Sequence, residues 1–173
     1  IIHKYALSSG TRVLSFCDSY AVGQNVDTRV ETVLAGGTFD LERGVVYYTQ
    51  LSPYEIRMFS LEGELTSIVY RANDFIRQPN VEYRNGGMSF GPFAASVSIV
   101  ALNRGGFVNV AIVSGDGGSF QTIVDLFSAE GLLLATKQFG ARVPITCKDE
   151  VDRLYAADLR AAPKVVRYRT VVK

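Results

Sequence analysis

An internal repeat constrains the fold of this chain more than any other feature of its sequence. Residues 56–65 read Ile-Arg-Met-Phe-Ser-Leu-Glu-Gly-Glu-Leu, and residues 124–133 read Val-Asp-Leu-Phe-Ser-Ala-Glu-Gly-Leu-Leu. Both contain Phe-Ser-x-Glu-Gly, with apolar positions in register on either side. A looser copy lies at 4–14, and a shortened copy without the Gly turn lies at 165–171. Because such self-similarity is typical of repeat architectures, we expect one structural unit to recur along the chain.

The rest of the sequence predicts short strands. Runs rich in Val, Ile, Tyr and Phe are broken by Gly, Asn, Asp and Ser, and helical periodicity is nearly absent. The best helical segment, 149–156, is better interpreted as a turn followed by a strand. Similar turn-and-strand segments at 42–48 and 104–110 also precede a repeat. Each unit is therefore predicted to be a four-stranded antiparallel meander, which is compatible with a sandwich, a barrel or a propeller.

The repeats resemble those of six-bladed β-propellers of the NHL-repeat type. Residues 152–158, Asp-Arg-Leu-Tyr-Ala-Ala-Asp, are similar to one conserved strand of that repeat, and residues 56–65 are similar to the next. The resemblance implies an all-β fold class in which β-propeller blades, each a four-stranded antiparallel meander, form an incomplete ring. It implies nothing about activity, since one propeller fold hosts unrelated functions.

The repeats predict a single partial β-propeller domain over residues 1–173. A closed propeller typically needs about four to eight blades, and about three and a half are predicted here. We therefore expect the chain to be a fragment of a longer one, with missing upstream blades, or to need a second copy to close the ring. The predicted boundaries are a half blade at 1–16, blades at 30–70, 94–138 and 143–172, and inserted loops at 17–29 and 71–93.

The second inserted loop, 71–93, is the predicted binding surface. It mixes Arg with aromatic and amide residues, a composition enriched at recognition surfaces, and long loops on a rigid scaffold commonly bind partners. The alternative is a solvated loop that packs its own Phe75, Ile76 and Val81 onto a blade. The predicted binding residues are Arg71, Asn73, Arg77, Tyr83 and Arg84.

No catalytic constellation is recognisable, so we predict no catalytic residue, no metal site and no cofactor. His3 is the only histidine, and no Cys or second His stands at zinc-ligand spacing. Gly-x-Ser-x-Gly and phosphate-binding Gly-rich motifs are absent. Residues 116–118, Asp-Gly-Gly, favour a hairpin turn over a calcium loop. The Glu-Gly pairs of the repeats are turn residues, and the carboxylates of 149–152 are predicted to be solvated charges.

Charge and composition exclude further classes. With 18 basic and 17 acidic residues, scattered rather than clustered, the chain has no basic groove for nucleic acid. No apolar run reaches the about 18 residues of a membrane span. Cys17 and Cys147 are the only cysteines; they could pair, but two cysteines are no disulfide framework, and free, partly buried thiols are favoured. The propeller relatives favour a periplasmic or extracellular location.

The leading functional hypothesis is a non-enzymatic binding or scaffold β-propeller with a protein or polymer partner. One alternative is part of a metal-dependent propeller enzyme, lactonase-like or lyase-like, whose site is shared with absent blades. Another is a structural module of a larger secreted or surface assembly. The first strand of each unit argues against a metal held by these blades, because near the expected channel it carries hydroxyl groups and few carboxylates. Those hydroxyl residues are Thr38, Ser96, Ser98 and Thr146.

Overall fold

The computed structural model is almost entirely β-sheet, which confirms the predicted all-β fold class. Within the residues that it describes, all strand pairs are antiparallel, and strands that are consecutive in the chain are neighbours in their sheet. No closed ring is formed by this part of the chain. The described residues are 1–17, 34–71, 81–84, 87–90, 94–114, 119–158 and 164–169.

The described strands form four sheets and one separate hairpin. Sheet I contains β1 (Ile2–Tyr5) and β2 (Arg12–Phe16). Sheet II contains β3 (Gly37–Glu42), β4 (Val45–Gln50), β5 (Glu55–Ser60) and β6 (Leu65–Tyr70). The hairpin contains β7 (Val81–Arg84) and β8 (Gly87–Phe90). Sheet III contains β9 (Ala94–Ala101), β10 (Phe107–Ser114), β11 (Phe120–Phe127) and β12 (Leu133–Phe139). Sheet IV contains β13 (Ile145–Lys148), β14 (Arg153–Asp158) and β15 (Lys164–Arg169).

The Phe-Ser-x-Glu-Gly repeats form the same turn in sheets II and III. In each, the serine hydroxyl oxygen accepts hydrogen bonds of 3.1–3.4 Å from the backbone N–H groups two and four residues further on. The glycines of the two turns, Gly63 and Gly131, have φ angles of +83° and +86°. Since side chains other than hydrogen disfavour this region, the glycines are required locally, as the sequence predicts.

The same two glycines also mark where one sheet meets the sheet before it. A Cβ atom on Gly63 would lie 3.0 Å from Phe16 of sheet I, and one on Gly131 would lie 2.4 Å from Val69 of sheet II. Each turn therefore packs closely on the preceding sheet, and the repeat in sequence corresponds to a repeat in packing.

Apolar side chains fill the spaces between consecutive sheets, so the four sheets stack in chain order. The core between sheets II and III surrounds Phe107, whose ring stacks on Phe127 with centroids 4.9 Å apart and lies 4.9 Å from the ring of Tyr47. Val46, Tyr48 and Phe59 face sheet I. Sheets III and IV are joined by a core that includes Val108, Val110, Ile145, Leu154 and Ala156.

The first strands of sheets II, III and IV lie side by side. β9 contacts both β3 and β13. A carboxylate oxygen of Asp40 in β3 accepts a hydrogen bond of 2.9 Å from the N–H of Ala101 in β9. Cys17 is buried, Cys147 is exposed, and the two form no disulfide, as predicted.

Candidate functional site

Arg71 is the predicted binding residue whose side chain the structure describes. It directly follows β6, and its guanidinium forms an ion pair with Asp125 in β11 of the neighbouring sheet. A guanidinium nitrogen also donates to the hydroxyl of Thr136 at 3.3 Å. Only 9% of the Arg71 side chain is exposed. Arg71 therefore anchors the start of the 71–93 segment to sheet III.

The other predicted binding residues lie within that segment. Tyr83 and Arg84 belong to β7, where their backbones pair with Met88 and Gly87 of β8. Asn73 and Arg77 lie outside the described residues. The structure thus separates Arg71, which is held between two sheets, from the two residues that belong to the hairpin.

Asp125 is the centre of a polar network between sheets II and III. Its carboxylate is fully buried and accepts hydrogen bonds from Tyr54 at 2.7 Å, from Arg71, and from Thr136 at 2.8 Å. A buried charge is tolerated when it is paired and hydrogen-bonded, and Asp125 meets both conditions. The network therefore joins sheets II and III through polar contacts beside their apolar core.

Strand register explains how sheet III presents this network. Asn109, Asp125 and Thr136 lie opposite one another on β10, β11 and β12, which places a polar row across three strands. The amide nitrogen of Asn109 donates to the hydroxyl of Ser96 at 3.1 Å. Ser96 on the first strand of sheet III and Asn109 on the second are thus joined by a buried hydrogen bond.

The environment of Tyr54 keeps its phenol protonated. Burial raises its pKa far above the ordinary value of 10.0, and the negative charge and hydrogen bond of Asp125 raise it further. A hydrogen bond with Asn109 and the charge of Arg71 act in the opposite direction but do not reverse the shift. Tyr54 is therefore a hydrogen-bond donor to Asp125 and is unsuited to act as a base.

We expect Tyr54→Phe to change how stability depends on alkaline pH. The unfolded chain loses the tyrosine proton near pH 10, whereas the folded protein retains it, so this contribution is complete below about pH 10 and is lost as the pH rises. Above pH 10 this one proton should make the free energy of unfolding of the wild type fall by about 1.4 kcal/mol per pH unit. Tyr54→Phe should lack this part of the fall. Urea unfolding between pH 8 and 11 measures it. Tyr70→Phe, at an exposed tyrosine, is the control, and equal slopes for wild type and Tyr54→Phe would contradict the assignment.

A second polar cluster joins sheets III and IV, at the ends where the first and second strands are connected. The Asp152 carboxylate accepts hydrogen bonds from the backbone N–H groups of Asn103 at 2.7 Å and Arg104 at 3.3 Å. Asp152 is buried and has a φ angle of +59°. The prediction that the carboxylates of 149–152 are solvated charges is therefore wrong for Asp152, because a turn of another sheet covers it.

Asp149 holds the β13–β14 turn in the way that serine holds the repeat turns. Its carboxylate accepts hydrogen bonds from the N–H groups of Val151 at 3.1 Å and Arg153 at 2.9 Å. The Arg153 guanidinium and the Tyr155 hydroxyl donate to its other oxygen. Although desolvation raises the pKa of Asp149, these hydrogen bonds outweigh it and hold the pKa far below its usual range.

Sequence reasoning missed Tyr54, Asp125 and Thr136. One signal was available, because Asp125 is a charged residue in an apolar strand at the position that Arg57 holds in the other repeat. Arg57 is paired locally, with Glu55 at 2.6 Å, whereas the partners of Asp125 on sheet II come from distant parts of the sequence. A charge in such a strand indicates a buried network without identifying its partners.

Comparisons with known proteins find no matching family model, no matching curated protein and no matching solved structure. Among the described residues, no three His, Cys, Asp or Glu side chains are grouped so that they could hold a metal ion. In the same part of the chain, no helix has the length and apolar character needed to cross a membrane.

Proposed function

We propose that this chain is a non-enzymatic binding or scaffold module of the β-propeller type, and that the 71–93 segment is its binding surface. One observation carries the proposal: the described residues at the start of the segment and directly after it pack into the sheets. Arg71 is paired with Asp125 on sheet III, and Ala94, where β9 begins, is buried. Loops held in this way by a rigid scaffold are a common location for binding residues.

The propeller assignment is supported by three features of the sheets. Sheets II and III are four-stranded meanders, consecutive sheets pack face to face in chain order, and β9 lies beside the first strands of both neighbouring sheets. First strands placed side by side are expected where blades surround a common axis. The NHL-type resemblance of the repeats agrees with this arrangement.

The partner is proposed to be a protein or a polymer recognised by Arg and Tyr side chains. These residue types dominate binding energy at many interfaces, because they combine a large contact area with directional hydrogen bonds. Since Arg71 is occupied by Asp125, the proposed contact residues are Arg77, Tyr83 and Arg84.

We expect simultaneous replacement of Arg77, Tyr83 and Arg84 by Ala to weaken partner capture at least tenfold, on the order of one hot-spot residue, with an unchanged melting temperature. Capture from an extract of the source organism, quantified by mass spectrometry and carbohydrate analysis, measures the effect. The matched control replaces two arginines and a tyrosine at exposed positions away from the segment, namely Arg12, Tyr5 and Arg142.

Two results would contradict the proposal. Equal capture by the triple variant and the wild type would remove the 71–93 segment as the binding surface. Stoichiometric calcium or zinc in the purified protein would instead favour the metal-dependent enzyme.

A further inference from the structure

Two buried side-chain oxygens have no hydrogen-bond partner within the part of the chain that the structure describes. One belongs to the amide of Asn109 in β10, and the other is the hydroxyl oxygen of Ser52, which lies between β4 and β5. Asn109 is fully buried and Ser52 is 1% exposed. The backbone of Ser52 is bonded to Leu34 at 3.3 Å and to Gln50 at 2.6 Å, so its hydroxyl is the group that needs a partner. Because unpaired buried polar groups are costly and rare, both oxygens point to a bound ligand.

The contacts of Asn109 fix the orientation of its side-chain amide. Its nitrogen donates to Ser96 at 3.1 Å, and a second hydrogen bond joins the amide to Tyr54. The Tyr54 hydroxyl donates its only proton to Asp125 at 2.7 Å, so its oxygen can only accept from Asn109. Turning the amide over would place two acceptor oxygens against each other at Tyr54. Both N–H donors of Asn109 are therefore used, and its oxygen needs a donor from elsewhere.

The loop that carries Ser52 lies against Asn109 through the residues on both sides of Ser52. The carbonyl oxygen of Leu51 accepts a hydrogen bond of 2.9 Å from the N–H of Ser96. The hydroxyl of the same Ser96 binds Asn109. Tyr54, two residues after Ser52, contacts Asn109 directly. The two unpaired oxygens therefore belong to one small region around Ser96.

Water suits these two oxygens better than a cation does. One water molecule can donate to the amide oxygen of Asn109 and accept from the hydroxyl of Ser52 at the same time. Buried waters typically make about three hydrogen bonds, and the Ser96 hydroxyl is a candidate third partner. A cation would add a buried positive charge without compensation, because the carboxylate of this network, Asp125, is already paired with Arg71.

We propose that Ser52 and Asn109 bind one internal water molecule, which joins the β4–β5 loop of sheet II to β10 of sheet III. The water donates to the amide oxygen of Asn109 and accepts from the hydroxyl of Ser52. It extends the Asp125 network along the junction of the two sheets. Since its release would leave two buried polar groups unpaired, the water is an integral part of this junction. The proposal does not depend on the binding function of the 71–93 segment.

Crystal structures of the full wild-type chain and of Ser52→Ala, at a resolution that shows ordered water, test the site. We expect one water within hydrogen-bonding distance of Asn109 and Ser52 in the wild type, and we expect Ser52→Ala to lose or displace it. Ser52→Ala should also lower the urea midpoint, because the water and Asn109 lose a partner. Removing a buried hydroxyl that binds nothing would instead raise the midpoint.

Ser98→Ala is the matched control, at another buried serine. Its strand partner Val110 packs towards sheet IV, on the other face of sheet III, so this variant should keep the water. The proposal is overturned if the wild type has no water at Asn109, if the two residues bind separate waters, or if a group of the chain pairs with the Asn109 oxygen. An unchanged or raised midpoint for Ser52→Ala also overturns it. A wild-type midpoint that is higher in sodium chloride than in N-methylglucamine chloride of equal ionic strength would indicate a bound cation instead.

Discussion

Replacing Asp125 by Ala is expected to lower the free energy of unfolding by about 3–5 kcal/mol. The substitution removes the acceptor for Tyr54 and leaves the guanidinium of Arg71, whose side chain is only 9% exposed, without its counter-charge. The loss should appear as a lower urea midpoint with an unchanged m-value.

Two further variants separate the stranded charge from the lost packing. Asp125→Asn keeps the shape and part of the hydrogen bonding, so it should be less destabilising than Asp125→Ala. Combining Asp125→Ala with Arg71→Met removes the stranded cation and should recover part of the stability, because an apolar replacement of a buried ion pair is often tolerated. A loss below about 1 kcal/mol for Asp125→Ala would show that the network is solvated.

Replacing Phe107 by Ala is expected to destabilise the protein by about 3–5 kcal/mol. Its ring is fully buried, stacks on Phe127 of the same sheet and contacts Tyr47 of sheet II, so truncation leaves a cavity between two sheets. Denaturant unfolding measures the loss.

Phe39→Ala is the matched control for Phe107→Ala, because Phe39 also lies on a strand and is 57% exposed. It should change stability by no more than about 0.5 kcal/mol. If both substitutions had equal effects, sheets II and III would not share the core that the stacked rings indicate. Phe107→Leu, which retains most of the apolar volume, should lie between the two.

The Asp125→Ala and Phe107→Ala variants also test the proposed binding function. Both sites lie between sheets II and III, and Asp125 is also the partner of Arg71 at the start of the 71–93 segment. If the sheets serve as a scaffold, Phe107→Ala should lower capture only in proportion to the fraction of unfolded protein. Asp125→Ala should lower it further, because Arg71 loses the partner that holds the start of the 71–93 segment. The Arg77, Tyr83 and Arg84 variant should lose capture while folded.

The sequence predicted the parts of this fold that depend on nearby residues. The turns of the two repeats are held by a serine hydroxyl that binds N–H groups two and four residues further on, and their glycines satisfy a local φ requirement. The turn before β14 is likewise a local structure around Asp149. Because these contacts span at most four residues, the motif alone determines them.

The networks that join the sheets could not be derived in this way. Tyr54 lies 71 residues from Asp125, Arg71 lies 54 residues from it, and Asn103 lies 49 residues from Asp152. A charged residue in an apolar strand shows that a partner is needed but does not identify it. Arg71 illustrates the consequence, since its type and position in a long loop predicted binding, whereas the stacking of sheets II and III gives it a buried carboxylate.

The internal repeat by itself therefore determined the strands, their meander order and the glycine turns, since these depend on hydrogen bonds and periodicity within one unit. Only the tertiary structure decided which face of each sheet is covered and which polar residues are buried between sheets. These features depend on how separate units stack, and the residues that specify the stacking lie far apart in the chain.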